Sequence, residues 1–223
     1  MPQLQPLVIL GAGGFGREVA WLVEEINMQS PTFELIGFVD DSSVDTVERY
    51  PVLGTFDDWV SRAPTNVRVV CAVGDPASRY RMARRATAAA LSFATLIHPT
   101  VRSSRWVEIG PGSIVTAYNI LTTNIRIGAH SLLNLDCTVG HDCVLGEFAS
   151  LMPGVHISGE VTFGPGVYLG TGAVVINGVS IGAWTTVGAG AVVSSDLPEK
   201  IVAVGVPAKQ IKSNPHVPAG YVE

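Results

Sequence analysis

Hydrophobic residues follow two different patterns along the 223-residue chain, and the pattern changes near residue 97. In residues 1–96, short apolar runs alternate with longer segments that have helical character. The runs predict buried strands at 7–10, 33–39 and 67–73, with one helix ending near residue 27 and another over 76–91. Strands that alternate with helices are typical of a parallel sheet, so this half is expected to be half of a doubly wound (Rossmann-like) nucleotide-binding domain.

Beyond the change, an apolar residue recurs at every sixth position without a slip in register. The series runs from Ile109 to Val193, and all fifteen positions are aliphatic or aromatic. A period of six fits neither a helix nor a stack of hairpins, and it is typical of the hexapeptide β-helix. Three hexads close one coil, so residues 97–195 are predicted to form a parallel β-helix of about five coils, followed by a tail over 196–223.

The composition argues against several classes of function. A net charge of −5 does not favour nucleic acid as a partner, because that binding depends on clustered Lys and Arg. Apolar runs fall short of the roughly 18 residues of a membrane span, and the N-terminal run is too short for a signal peptide. The three cysteines lack metal-ligand spacing, so we expect reduced thiols in a cytoplasmic protein.

A glycine-rich motif of the form G-x-G-x-x-G follows the first predicted strand. Its glycines are Gly11, Gly13, Gly14 and Gly16. Such a loop holds a phosphate with backbone N–H groups, and an acid after the next strand, here Asp40 with Asp41, holds ribose or base. Only one mononucleotide half fits before the repeat, which favours a nucleoside-diphosphate sugar. A dinucleotide site and a purely structural turn are the alternatives.

The segment after the third predicted strand offers weaker candidates for the same site. Gly74 and Arg79 are positioned to border the nucleotide, with Asp75 between them. A helix-capping aspartate and a solvated arginine would explain the same residues.

The sequence resembles the hexapeptide-repeat acyltransferases, in particular the bacterial branch of sialic acid O-acetyltransferases and nucleotide-sugar N-acetyltransferases of glycan and O-antigen synthesis. The resemblance covers nearly the whole chain and is carried by segments 8–18, 37–41, 97–99, 140–142 and 204–209. It implies a left-handed β-helix, acetyl-CoA as co-substrate, no metal, and a homotrimer. The implied reaction acetylates the amino group of a nucleotide-linked 4-amino-4,6-dideoxy sugar. GDP-perosamine is the expected acceptor, with a UDP-4-amino sugar or a sialic acid hydroxyl as alternatives.

The motif Gly-His-Asp matches the catalytic step of that family and makes His141 the predicted general base. An imidazole can take a proton from the attacking amine near neutral pH, and Asp142 can orient it. One coil of 18 residues further on, the backbone N–H of Gly159 is the predicted oxyanion donor. The resemblance also places Asn134 at the acceptor sugar, although a solenoid corner would explain it equally. No paired nucleophile is evident, so direct transfer is expected.

The other histidines do not favour a metal enzyme. His130 and His156 occupy outward repeat positions and are predicted to be surface residues, and His98 and His216 are expected to be structural or solvated. Zinc lyases with a β-helix use three histidines, and the required close spacing is missing here. An inactive scaffold is disfavoured by the intact Gly-His-Asp step.

The resemblance implies that the pantetheine arm of CoA runs along the later coils. The implied contacts are Gly170, Thr171 and Ala189, with Lys209 and Lys212 near the phosphates. A trimer is also expected because outward apolar residues would be exposed on a lone prism. These residues are Leu135, Met152, Val174 and Trp184.

Overall fold

The computed structural model describes residues 4–42 and 44–218, and the first part of them forms a parallel sheet flanked by helices. Its elements are β1 (Gln5–Leu10), α1 (Gly14–Gln29), β2 (Phe33–Val39), β3 (Thr46–Val47), β4 (Tyr50–Pro51), α2 (Phe56–Val60), β5 (Arg68–Cys71), α3 (Pro76–Ala88) and β6 (Ser92–Phe93). The sheet has the order β2-β1-β5-β6, and every pair is parallel. This confirms the expected parallel sheet flanked by helices, as in half of a doubly wound domain. The short elements β3, β4, α2 and β6 were not predicted. In the part of the chain described, no helix is long and apolar enough to cross a membrane.

Strand β1 has apolar residues at consecutive positions because both of its faces are buried. Residues 7–10 are completely buried, because helices cover both faces of the sheet. Leu7 and Ile9 pack in a hydrophobic cluster with residues of α1, whereas Val8 and Leu10 pack in a second cluster with residues of α3. Helix α3 begins as predicted, with the Asp75 side chain accepting a hydrogen bond from the Ser78 N–H at 2.7 Å.

The second part is a parallel β-solenoid with three faces. Face 1 contains β7 (Leu96–Ile97), β10 (Ile114–Val115), β13 (Leu132–Leu133), β16 (Ser150–Leu151), β19 (Tyr168–Leu169), β22 (Thr186–Val187), β24 (Ile201–Val204) and β25 (Lys209–Ser213). Face 2 contains β8 (Arg102–Ser103), β11 (Ile120–Leu121), β14 (Thr138–Val139), β17 (His156–Ile157), β20 (Val174–Val175) and β23 (Val192–Val193). Face 3 contains β9 (Val107–Ile109), β12 (Ile125–Ile127), β15 (Val144–Leu145), β18 (Thr162–Phe163) and β21 (Ser180–Ile181). From β7 to β23, paired strands are offset by 18 residues, as the hexad repeat requires, whereas β24 pairs with β22 in a different register.

The interior of the solenoid confirms the predicted inward positions. The repeat residues Leu133, Val139 and Leu145 and the small residues Cys137 and Cys143 are at most 1% exposed. Face 2 shows about six turns, one more than the repeat count suggested. The first turn was missed because Ser103, an exposed residue, occupies the repeat position on β8 and interrupts the apolar series. At the other end β24 and β25 form an antiparallel pair.

The N-terminal sheet packs on face 1. The outward side chains Leu96, Ile114 and Leu132 are at most 1% exposed, because they share a core with Leu7 and Ile9. This packing corrects three expectations about the outer surface. Met152 packs against the same core, and Trp184 is 1% exposed in a cluster with Ala77, so neither is available to a neighbouring subunit. His130 is not a surface residue either, since its ring stacks on Phe148 at 5.0 Å.

Arg79 joins the two parts of the molecule. This corrects the prediction that it borders the nucleotide. Its side chain is 1% exposed and burial lowers its pKa to about 10. All five N–H groups of the guanidinium are used. Nε donates to the carbonyl of His130, one terminal nitrogen to the carbonyls of Val73 and Gly74, and the other to the carbonyls of Phe148 and Ala149 and to Ser150 Oγ. No donor remains for a ligand.

Candidate active site

His141 lies at the corner between face 2 and face 3, which we call corner 2/3. Its side chain is 57% exposed, and its Nδ1 lies 2.8 Å from Asp142 Oδ2. A carboxylate only accepts hydrogen bonds, so Nδ1 carries the proton and Nε2 has a free lone pair. The hydrogen bond with His141, followed by one from Asn124, holds the pKa of Asp142 below its usual value. Whenever the imidazole is neutral, this arrangement leaves the lone pair of Nε2 free to accept a proton.

Gly159 lies directly under the ring of His141, one coil further on. A Cβ atom at this position would be 2.6 Å from both Cε1 and Nε2 of His141, so only glycine leaves the ring in place. Within the described residues the Gly159 N–H donates no hydrogen bond. It faces Gly140, where a Cβ would lie 2.5 Å from the Gly159 nitrogen. A proton acceptor thus lies next to a residue whose backbone N–H has no partner within the described residues, and acyl transfer needs an acceptor and a donor of this kind.

Asn124 is a member of this site that the sequence did not suggest. Its Nδ2 donates to Asp142 Oδ1 at 3.1 Å from the preceding coil. The 18-residue period of the coil could have identified it. Residue 124 lies 18 positions before Asp142, just as Gly159 lies 18 positions after His141.

The glycine loop leaves the N-terminus of α1 open to an anion. Helix α1 has neither a side-chain cap nor an acidic residue in its first turn. Gly13 is exposed, and a Cβ there would meet nothing within 4 Å, whereas a Cβ on Gly16 would collide with the Gly11 carbonyl. Gly14, the first helical residue, is exposed as well. The free N–H groups and the positive end of the helix dipole together suit a phosphate.

Asp40 ties the loop after β2 to the glycine loop. Its carboxylate accepts from the Ala12 N–H at 2.7 Å and from the Ser42 N–H at 2.9 Å. Burial alone would raise the pKa of Asp40, but these hydrogen bonds outweigh it and lower the pKa. Cavities lie on both sides of this carboxylate. One of about 620 Å³ is lined by Gly13 and Arg17, and one of about 410 Å³ is lined by Asp41, Phe56, Arg81 and Arg85, among others.

Gly74 and Asp75 border a third cavity, between the sheet and the solenoid. It measures about 330 Å³ and is also lined by Tyr168 and Thr186 of face 1. Asp75 is occupied in capping α3.

The remaining predicted residues lie at a different corner, between face 1 and face 2, which we call corner 1/2. Gly170 and Thr171 follow β19, and Ala189 follows β22 at the same corner one coil further on. Asn134 follows β13 there, but it is 7% exposed and its Oδ1 accepts from the Leu135 N–H, as expected of a corner residue. Lys209 is exposed on β25.

The predicted residues therefore do not converge within one chain. Face 2 separates His141 from the residues expected to hold CoA. The N-terminal sheet covers face 1, which is opposite corner 2/3 in a triangular cross-section. The described residues also contain no cluster of His, Cys, Asp or Glu able to hold a metal ion.

Comparison with known proteins agrees with this architecture. The PglD N-terminal domain family matches residues 6–86. GDP-perosamine N-acetyltransferase from Escherichia coli O157:H7 is 30% identical over 215 residues, which cover 93% of this chain and 96% of that protein. The acetyltransferase domain of PglB from Neisseria gonorrhoeae, solved with acetyl coenzyme A, has a TM-score of 0.87 at 33% identity, over 94% of this chain and all of that domain (100%). PerB from Caulobacter crescentus, solved with CoA and GDP-perosamine, has a TM-score of 0.84 at 34% identity, over 94% of this chain and 98% of that one. Because the similarity runs through both the sheet and the solenoid, this chain belongs to the family of hexapeptide-repeat nucleotide-sugar acetyltransferases.

Proposed function

We propose that this acyltransferase moves the acetyl group of acetyl-CoA to the amino group of a nucleotide-linked 4-amino-4,6-dideoxy sugar, with GDP-perosamine as the first candidate. The observation that carries the proposal is the placement of His141 Nε2 next to Gly159, whose N–H donates no hydrogen bond within the described residues. The relatives named above, one a GDP-perosamine N-acetyltransferase and one solved with CoA and GDP-perosamine, support this acceptor.

The chemistry needs only groups that this chain supplies. The sugar amine attacks the thioester carbonyl carbon, a C–N bond forms, and His141 Nε2 takes the proton that the nitrogen loses. The Gly159 N–H stabilises the oxyanion of the tetrahedral intermediate. When the intermediate collapses, the C–S bond breaks and the CoA thiolate takes the proton from the imidazolium. Asp142 stabilises that imidazolium without being protonated itself.

The N-terminal sheet would supply the affinity for the nucleotide. In this proposal the pyrophosphate lies at Gly13 and the open end of α1, and the nucleoside occupies a cavity beside Asp40 and Asp41. The later coils would hold CoA, with its phosphates near Lys209. The three cysteines are buried and unpaired, which supports the expectation of a reducing, cytoplasmic setting.

A homotrimer would complete the site. Contact between corner 1/2 of one chain and corner 2/3 of the next is heterologous, and three such contacts related by a rotation of one third of a turn close as a ring. Large apolar side chains remain exposed on the sides that the N-terminal sheet leaves uncovered, and they support burial between subunits. They are Trp106, Tyr118, Ile120, Val144 and Ile176. Sedimentation should show an active species three times 23.5 kDa, and an active monomer would contradict the trimer.

The function is tested by following thiol release from acetyl-CoA with a panel of acceptors. The panel contains GDP-perosamine, UDP- and dTDP-linked 4-amino sugars, and free sialic acid. We expect turnover with a nucleotide-linked amine and none with sialic acid, with His141→Asn as the blank. Turnover with sialic acid alone would replace the proposal with O-acetylation.

A further inference from the structure

Asn124 completes a chain of hydrogen bonds that leads to His141. The Asn124 amide donates to one oxygen of Asp142 at 3.1 Å, and His141 Nδ1 donates to the other oxygen at 2.8 Å. The carboxylate is therefore held at both of its oxygens, by a residue from the preceding coil and by its neighbour in sequence.

Asp142 needs this second anchor because it lies at the surface. Its side chain is 49% exposed. The terminal torsion of an aspartate is broad, so an exposed carboxylate with a single partner can rotate and exchange that partner for water. A bond to each oxygen restricts the rotation, and it thereby fixes the plane in which the imidazole is held.

The backbone explains how the two side chains come to face each other. Asn124 and Asp142 both adopt the left-handed region, with φ of 53° and 58°. Asn and Asp enter this region more readily than other residues with a side chain. Equivalent turns 18 residues apart lie one coil spacing from each other, about 4.8 Å, so their side chains start in register.

A neutral donor is also the appropriate one at this position. A lysine or arginine would neutralise the carboxylate, whereas an amide leaves its negative charge available to the imidazolium that forms during transfer. The two hydrogen bonds that Asp142 accepts, from His141 and from Asn124, lower its pKa and keep it ionised.

We propose that Asn124 is a positioning residue, which fixes Asp142 so that His141 keeps its proton on Nδ1 and presents Nε2 above Gly159. The role rests on the proposed function, in which His141 is the base. Asn124 acts through Asp142.

The tautomer of His141 reports this role without any substrate. In protein labelled with ¹⁵N-histidine, NMR at alkaline pH should show His141 as the Nδ1–H form, the minor form of a free histidine. Asn124→Gly removes the amide and suits the left-handed turn, so the Nε2–H form should become populated. Ala90→Gly is the matched control, because Ala90 is exposed, has a positive φ of 56°, and lies just after α3, away from both corners of the solenoid. An unchanged tautomer in Asn124→Gly would overturn the proposal.

Steady-state kinetics of the Asn124 variants give a second test of the positioning role. Loss of one such hydrogen bond should lower kcat roughly threefold to tenfold in Asn124→Gly and leave both KM values unchanged. Asn124→Asp, which replaces the donor with a second carboxylate, should lose more. A wild-type kcat in both variants would contradict the positioning role. If wild-type protein acetylates no amine at all, the proposed function fails, while the tautomer measurement still decides the role of Asn124.

Discussion

Replacing Gly159 with alanine should abolish most of the activity while leaving the fold nearly unchanged. The added methyl group would lie 2.6 Å from Cε1 and Nε2 of His141 and 3.0 Å from Cδ2. Ordinary contact between such atoms begins near 3.5 Å, so the ring must move by about 1 Å. Because the side chain of His141 is 57% exposed, it can move into solvent at little cost to stability.

The effect on catalysis should be far larger than the effect on stability. A displacement of about 1 Å in a reacting group can cost roughly 10²-fold, and loss of an oxyanion donor costs about 10²–10³-fold. Since the methyl group moves the base and crowds the Gly159 N–H together, we expect kcat to fall by about 10²–10³. The KM for the nucleotide sugar should change little, because the glycine loop lies on the other side of the molecule.

Steady-state thiol release and thermal unfolding should be measured on the same preparations. Gly178→Ala is the control from the same corner, since a Cβ there meets nothing within 4 Å although its φ of 74° is strained for alanine. We expect that control to lose some stability and keep its activity. A Gly159→Ala enzyme with kcat near that of wild type would refute the placement of the base above this glycine.

Three further predictions concern the sheet and its junction with the solenoid. Arg79→Met should lower the free energy of unfolding by about 3–5 kcal/mol in denaturant titrations, because buried carbonyls lose their donors, whereas Arg81→Met on the exposed side of α3 should be almost neutral. The pKa of His130 is lowered to about 4 by burial and by the charge of Arg79, so its neutral form stabilises the fold above about pH 6.5 and that contribution is lost as the pH falls toward 4. The melting temperature of His130→Phe should therefore fall less on acidification than that of wild type, and an equal fall would be inconsistent with this account. Gly13→Val should raise the KM for the nucleotide sugar about tenfold and leave that for acetyl-CoA unchanged, since its side chain enters the space assigned to phosphate; equal changes in both would argue against that site.

The sequence was sufficient for the repeating parts of the structure because each repeat residue has the same environment. An apolar residue every sixth position fixes which side chains face the interior, and the 18-residue coil places Gly159 next to His141. The same step would have found Asn124, and it would have shown that Gly170 and Ala189 lie at another corner from His141. All of these positions can be assigned by counting along the chain in steps of 18 residues.

The contacts between the two parts of the molecule could not be predicted in this way. Arg79 reaches carbonyls 51 to 70 residues away, and no local pattern distinguishes it from a solvated arginine on a helix. Trp184 and His130 follow the rule for outward positions, yet Trp184 is buried and His130 is half-buried, because the N-terminal domain covers that side of the solenoid. Packing between distant segments thus decided the roles that sequence periodicity left undetermined.

The central claim, that His141 is the general base for acetyl transfer to a sugar amine, is tested most directly by the pH dependence of kcat/KM in wild type and His141→Asn. Asparagine has similar volume and cannot carry the proton. We expect kcat to fall by about 10²–10⁴ with little change in the binding of either substrate, and the acidic limb of the profile to disappear. Near-wild-type activity with the acidic limb intact would contradict the claim and assign the base to another group.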